Sequence, residues 1–598
     1  MGFVAGWVGC SLGAIELSTK MTEYAPKQYR NKVKTLTTSF SVCSATENHI
    51  TELGQCIFIG YGGGLNERDG LTKIAKDYLE KGNQFINNVK GDFSLIIIDT
   101  ENKKLLLAID PLGHRNLYFA ETPNGLAFSS TADAVIAQPE VNNNISLQSI
   151  YDYVYFHHCP SPNTIYESVK KLEGGQQLVF QAGKVNLDRY WAPAFSETMD
   201  FSLSDVSKEL QDCLFRSVKR LSGSAEQTGA FLSGGLDSSS VAGALAKVYP
   251  NQANTFSMGF PVEGYDEISF ARIASENFKT IQHEYYVTAE DTVAAIPSIA
   301  AYYDEPFGNS SALAAFYCAK LAKDNGIEVL LAGDGGDELF AGNERYARQL
   351  LFEKYFSVPA PFRQLLKSFL TKAPGVVSNN NLIFKAKRYI EQAETPLPDR
   401  LQDYNFLHRH QAEDIFQADF LSHIVASQPL ESLRDSYRRP ENATSLNRRL
   451  YMDWKTTLHD NDLVKVNKMC EMAGVEVHYP LLDHEMLELS LRIPSSIKLK
   501  GQNLRWFYKH AMNGFLPNEI LNKSKHGFGL PFGIWLKDYQ PLKELAYDSI
   551  NSLKKRPYFA PDFLDYSIKM HQSIHAAYYG ELIWVLMMLE LWMQAKNI

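Results

Sequence analysis

FLSGGLDSSSVAGALAK, residues 231–247, decides how this chain is read. A short apolar strand runs into Ser233-Gly234-Gly235-Leu236-Asp237-Ser238-Ser239, and an Ala-rich helix follows. Two glycines without Cβ let several backbone N–H groups converge on one anion, and the helix opened by Ser238 and Ser239 turns its positive end toward the same place. A Gly-Ser turn uses the same letters, but their setting between strand and helix predicts a phosphate cradle. The G-x-x-x-x-G-K-[ST] spacing of a Walker loop is missing, so the loop implies a grip on pyrophosphate rather than hydrolysis at a γ-phosphate.

Working outward, LLAGDGGDELFAGNERY at 330–346 is a second strand followed by three carboxylates. D-G-G-D-E lacks the alternating ligand spacing of an EF-hand, which argues against a calcium loop. Asp237 and Asp337, each just past a strand, are suited to share Mg²⁺ ions that bridge the phosphates of ATP, although acidic residues capping a helix at Asp337 would use the same letters. A third stretch, VEVHYPLLDHEMLELS at 475–490, is followed by LNKSKHGFGLPFGIWL at 521–536. There Lys525, beside a Gly-rich loop, is suited to hold phosphates as a point charge, although a lone Lys is usually a surface residue.

These stretches sit in a segment, from about residue 205, where helices alternate with the short apolar runs GAFLS, NTFSMGF and IEVLLAG. That alternation predicts a parallel sheet with helices on both faces. Residues 345–598 read as mostly helical. Before residue 190 the pattern is β-type: 55–63, 93–100, 104–110 and 116–121 read as strands, and 174–191 as a closing hairpin. The polar stretch SETMDFSLSD at 196–205 reads as a linker, which sets a domain boundary near 195.

Composition narrows the function classes. The 598 residues carry a net charge of −9 and no dense Lys/Arg run, which argues against nucleic-acid binding. Seven cysteines without a C-x-x-C pair read as buried thiols in a reducing cytoplasm. No apolar run reaches membrane-spanning length; LIWVLMMLELWM at 582–593 carries Glu590 and reads as a packed helix. The opening MGFVAGWVGC lacks the basic region of a signal peptide and the Ser or Thr of a myristoylation site, and reads as an inner strand.

In order and spacing the chain resembles the asparagine synthetase family. FLSGGLDSS, TFSMGF, DEPFGNSSALAAF at 304–316, GDGGDELFAG, VEVHYPLLDH and GELIWVLMMLELWM carry the resemblance, together with GDFSLIIID and AIDPLGHRNLYFA in the N-terminal half. VYFHHCPSPNTIYESVKKLEGGQQLVF at 154–180 resembles the passage into the linker. The resemblance implies a class II glutamine amidotransferase-like domain over 1–195, an N-terminal-nucleophile α/β/β/α sandwich. It also implies an α/β pyrophosphate-loop ATP-binding domain with helical additions over 196–598. In that family a carboxylate attacks the α-phosphate of ATP, pyrophosphate leaves, and an amine displaces AMP to give an amide.

Carried onto this sequence, the resemblance gives an ATP site of Leu232, Ser233, Gly234, Gly235, Asp237, Ser238, Ser239, Ser257, Met258, Gly259, Gly333, Asp334 and Gly335. Mg²⁺ would sit on Asp237 and Asp337, with Lys525 stabilising charged intermediates and Asp334 helping to deprotonate the amine.

The pattern breaks at the glutaminase. Glutamine-using members begin Met-Cys-Gly-Ile-Ala-Gly, whereas this chain has Met1-Gly2-Phe3-Val4-Ala5-Gly6, and Cys10 is eight residues too far along the strand. No H-R-G-P-D stretch follows, and IGYGGG at 59–64 stands where F-N-G-E-I-Y would bind glutamine. These losses imply an amine that arrives on the substrate, or free ammonia. His478, where many relatives carry Arg, suggests a changed acceptor pocket or plain drift.

Related enzymes of the first kind are β-lactam, carbapenam and lasso-peptide macrolactam synthetases. The long helical insertion at 345–445 and KHGFGLPFGIW favour the lasso group, which implies a precursor peptide and a leader peptidase as partners. The alternatives are an ammonia-dependent asparagine synthetase, an amidotransferase-like enzyme of surface polysaccharide synthesis, or a protein without catalysis.

Overall fold

The apolar runs of the N-terminal half alternate in a way that calls for two buried faces. In a computed structural model of the chain, which describes residues 2–9, 20–65, 70–372, 381–402, 405–408, 410–524, 529–573 and 576–598, they have them. Ile57, Ile59, Ile96, Ile98, Leu105 and Leu107 face one way, against Val4, Val8 and Ala45 of a second sheet. Phe58, Leu95, Ile97 and Leu106 face the other, against Ile74, Ala75 and Tyr78 of the helix Gly70–Lys81. A strand buried on both sides has no need of polar alternation, which is why SLIIID is continuous.

Two six-stranded antiparallel sheets result. One has the spatial order Lys170–Lys171, Tyr118–Thr122, Gly125–Ser129, Val4–Val8, Ser41–Thr46, Val33–Thr37. The other runs Lys184–Arg189, Gln176–Gln181, Lys104–Ile109, Ser94–Asp99, Cys56–Tyr61, Ile50–Leu53. Val4–Val8 is thus an inner strand, as read from the sequence, while Cys10 lies outside the described residues. With the helices Ala132–Ile136 and Leu147–Phe156 beyond the first sheet, the layers are α/β/β/α.

The strand Lys184–Arg189 closes this half, and the helix Leu203–Leu221 opens the next. A five-stranded parallel sheet follows, in the order Ile281–Tyr286, Asn254–Gly259, Thr228–Phe231, Val329–Leu331, Glu476–His478. The chain builds outward from Thr228–Phe231 in one direction and then returns to build in the other. The switch point therefore lies between Thr228–Phe231 and Val329–Leu331, where open α/β sheets bind ligands beyond the strand ends.

The two halves share one hydrophobic core. Ala5, Trp7 and Val42, on the outer face of the first sheet, belong to the same buried cluster as Trp454, Trp584 and Trp592. Tyr153 donates to Val585 O at 2.7 Å, and Lys596 reaches Asp133 at 2.5 Å. The helix Ala576–Ala595 is packed, with Glu590 fully buried against Arg556. No helix among the described residues is long and apolar enough to cross a membrane. The six described cysteines are free and buried.

Candidate active site

Both carboxylate-bearing loops leave neighbouring strands at the switch point. After Thr228–Phe231 the chain turns through Gly234, at φ 69°, and enters the helix Leu236–Val248 from an extended Gly235. Ser238 closes the loop on itself. Its Oγ lies 2.9 Å from Ser233 Oγ and accepts the Ser233 N–H at 3.2 Å. The loop after Val329–Leu331 comes close enough that a Cβ on Gly333 would stand 2.7 Å from Ser238 N.

An open cavity of about 1070 Å³ lies against both loops. Leu232, Ser233, Gly235, Asp237, Ser238, Met258, Gly333, Asp334, Gly335 and Asp337 all line it. Gly234, Ser239, Ser257 and Gly259, expected in the ATP site, are not among its lining. Gly234 turns against Phe270 and Ala271, and Ser239 is buried in the helix. Ser257 points beneath the loop and donates to Leu232 O at 2.7 Å, while Gly259 backs onto the Tyr286 ring. These four shape the cradle from behind. Lys525 lies outside the described residues; the preceding Asn522, Lys523 and Ser524 line the cavity, with Lys523 Nζ 3.1 Å from Glu267.

Sequence reasoning missed Arg505. Its side chain is only 4% exposed, and Nη1 lies 2.8 Å from Asp237 Oδ2 and 2.9 Å from Asp337 Oδ1. Nη2 donates to the other oxygen of Asp237, and the guanidinium stacks 4.3 Å over the Tyr508 ring. Gly336 makes room: a Cβ there would fall 2.1 Å from Asp237 Oδ1. Asp237 and Asp337 therefore converge on one point beside a phosphate cradle. Two hard oxygen donors so placed fit Mg²⁺, and Arg505 supplies the compensating charge that two adjacent carboxylates require.

The far wall comes from Trp454–Asp462, wound as a π-helix, and from Leu463–Ala473 after it. π-Helical turns are rare and concentrate at functional sites. This one delivers Asp462 and, one turn on, Lys465, paired at 2.7 Å. Burial pushes the Asp334 carboxyl up to about 6; Asp462 and Asp237 add to the shift and Lys465 opposes it. Glu338 is held well above the ordinary carboxylate range by burial and then by Asp337, Asp462 and Asp453.

In the N-terminal half, Gly2 precedes the strand Val4–Val8. A Cβ at this position would meet Tyr61 Cε1 at 1.6 Å and Cδ1 at 1.9 Å. The Tyr61 hydroxyl donates to Phe3 O, and its ring lies 4.7 Å from His49. No side chain fits at position 2. His478, read from the sequence as a changed acceptor pocket or as drift, also lies toward this half. It ends the edge strand Glu476–His478, buried 3.7 Å from Glu476 and acted on by Asp92 of the N-terminal half, and does not line the nucleotide cavity. The stretch after it instead sends Leu482 against Gly335, buttressing the second loop.

A family model described as asparagine synthase matches residues 209–594, well over half the chain. The chain belongs to the asparagine synthase family. A glutamine amidotransferase domain model matches residues 72–191. Asparagine synthetase [glutamine-hydrolyzing] 1 of Bacillus subtilis is 25% identical over 509 residues, which covers 85% of this chain and 78% of the relative. Putative asparagine synthetase [glutamine-hydrolyzing] 2 of Methanocaldococcus jannaschii is 30% identical over 416 residues, 68% of this chain and 77% of the relative.

Among solved structures, the allosteric regulatory enzyme of purine biosynthesis matches at 9% identity over 56% of this chain and 80% of that one. Its TM-score is 0.22, too low for any argument. As a member of the asparagine synthase family, the chain is an ATP-dependent amide ligase, with a sandwich of the N-terminal-nucleophile type followed by the ATP-binding domain.

Proposed function

We propose that this ligase adenylates a side-chain carboxylate and joins it to an amine already carried by the substrate, closing a macrolactam ring in a lasso-type precursor peptide. One observation carries the choice of amine: the Tyr61 ring fills the space that a nucleophilic side chain at position 2 would need. A glutaminase without a nucleophile releases no ammonia, so the amine must come from elsewhere.

On this reading residues 1–195 are a degenerate amidotransferase-like domain and 196–598 the synthetase. The loop 233–239 holds the β- and γ-phosphates through its N–H groups. Asp237 and Asp337 are the residues that would hold Mg²⁺, which supplies positive charge against the departing pyrophosphate. A substrate carboxylate oxygen bonds to the α-phosphorus as the bond to pyrophosphate breaks. The amine nitrogen then attacks the acyl carbon, AMP leaves, and Asp334 accepts the amine's proton. Lys525 contributes charge to the same intermediates. A precursor peptide and a leader peptidase are the partners this implies, working in the cytoplasm.

A second reading, free ammonia as the amine, draws on a small, mainly apolar cavity of about 80 Å³ beside Gly2, which has Asn116, His459 and Asn467 in its lining and room for molecules of water's size. Pyrophosphate release separates the two. Release with a peptide bearing a free N-terminal amine and an internal Asp or Glu, accompanied by loss of one water mass from the peptide, is the expected result. Release only with aspartate plus ammonia would replace the first reading by the second.

A further inference from the structure

The helix Ala360–Lys372, APFRQLLKSFLTK, is amphipathic but faces the wrong way for a soluble protein. Apolar residues at i, i+3 and i+4 ordinarily turn inward. Here Phe362, Leu365 and Leu366 are 66%, 73% and 46% exposed. Of the polar residues between them, Arg363 is the one that is half-buried. The Arg363 guanidinium lies 4.9 Å over the Phe356 ring and 5.5 Å over that of Tyr355, and Lys367 reaches Glu394 at 2.6 Å. Phe356 and Val358, just before this helix, are 51% and 41% exposed and extend the apolar strip.

The surroundings are basic. Between residues 345 and 394 the sequence has nine Lys/Arg and three Glu, a net charge of +6 in a chain of net charge −9. Arg348, Lys354, Lys385, Lys387 and Arg388 are all exposed. We infer that the exposed face of the helix Ala360–Lys372 is a docking surface for an anionic lipid bilayer, with Phe362, Leu365 and Leu366 entering the headgroup–acyl boundary and the neighbouring cations at the headgroups.

Exposed phenylalanine and leucine flanked by lysine and arginine is the composition of helices that lie in a membrane interface. Side chains so far exposed stand proud of the surface, which suits insertion into a fluid layer better than a groove that must enclose a peptide. A second copy of the chain would bring its own +6 against the first.

The test uses the full chain in co-sedimentation with vesicles of phosphatidylcholine alone and of phosphatidylcholine mixed with phosphatidylglycerol. The chain should bind the anionic vesicles at least about tenfold better, and lose that binding at high salt. The triple variant Phe362→Ser, Leu365→Ser, Leu366→Ser should fall by about tenfold while its melting temperature and ATP–pyrophosphate exchange stay at wild-type values. Equal binding to both vesicle types, or a triple variant that binds like wild type, overturns the inference. So does a stripe whose loss changes only self-association in the ultracentrifuge, or only the affinity for polyglutamate.

Discussion

Tyr61 occupies the volume into which residue 2 would extend, its ring carbons 1.6 and 1.9 Å from the nearest possible Cβ. A glycine there is enforced by packing, since Tyr61 is itself buried and tied to Phe3 O. Restoring cysteine should therefore restore nothing. Gly2→Cys is expected to release no glutamate from glutamine and to lower stability by about 1–3 kcal/mol through overpacking, measured by urea unfolding. Glutaminase turnover in the single variant would show that Tyr61 yields.

Arg505 holds Asp237 and Asp337 together, so its removal leaves two carboxylates facing each other. Arg505→Met should cost about 3–5 kcal/mol in metal-free buffer. Mg²⁺ should then raise the melting temperature of the variant by clearly more than that of wild type. A Mg²⁺ response no larger than wild type's would mean that the two aspartates do not bind the cation jointly.

Asp334 makes a pH-dependent contribution whose sign follows from its raised pKa. With the folded-state pKa at about 6 against an ordinary 3.8, the folded protein keeps this proton to higher pH than the unfolded chain does. The contribution is full below about pH 4 and lost as pH rises through about 6. Asp334→Asn should thus gain up to about 3 kcal/mol relative to wild type at pH 8 and nothing at pH 4, read by denaturant titration. The variant should keep ATP–pyrophosphate exchange but lose amide formation; wild-type amide formation would remove Asp334 as the base.

Lys171 joins the two halves through a buried ion pair. It is 3% exposed, lies 3.0 Å from Glu305 and 3.8 Å from Asp460, and donates to Cys159 O at 2.7 Å. Lys171→Met should cost about 3–5 kcal/mol because Glu305 and Asp460 are left without their cation. The double variant Lys171→Met, Glu305→Gln should recover part of that loss. Full stability in the single variant would place the junction's strength in the apolar contacts alone.

What could be read without coordinates was whatever carries a local pattern. The runs at 93–100 and 104–110 became strands because each is apolar on both faces, and Asp237 and Asp337 met in one cavity because each opens the helix that follows a strand beside the switch point. Ile281–Tyr286 escaped notice because it is an edge strand, where Gln282, His283 and Glu284 cost little.

Arg505 was invisible for another reason. It lies 268 positions from Asp237 in a Leu-Arg-Trp stretch with no motif of its own, so only the folded chain shows what it neutralises. The π-helix at 454–462 has no letters that distinguish it from an ordinary helix. The letter at His478 could not decide between a changed acceptor pocket and drift; in the fold that residue packs against the neighbouring half.

The shared core has a consequence for descent. Deleting the sandwich would strip cover from Trp584 and Trp592 and open the pairs at Lys171 and Lys596. A lineage that kept only the ATP-binding domain would have to rebuild the face that the sandwich covers, so the two halves are inherited together.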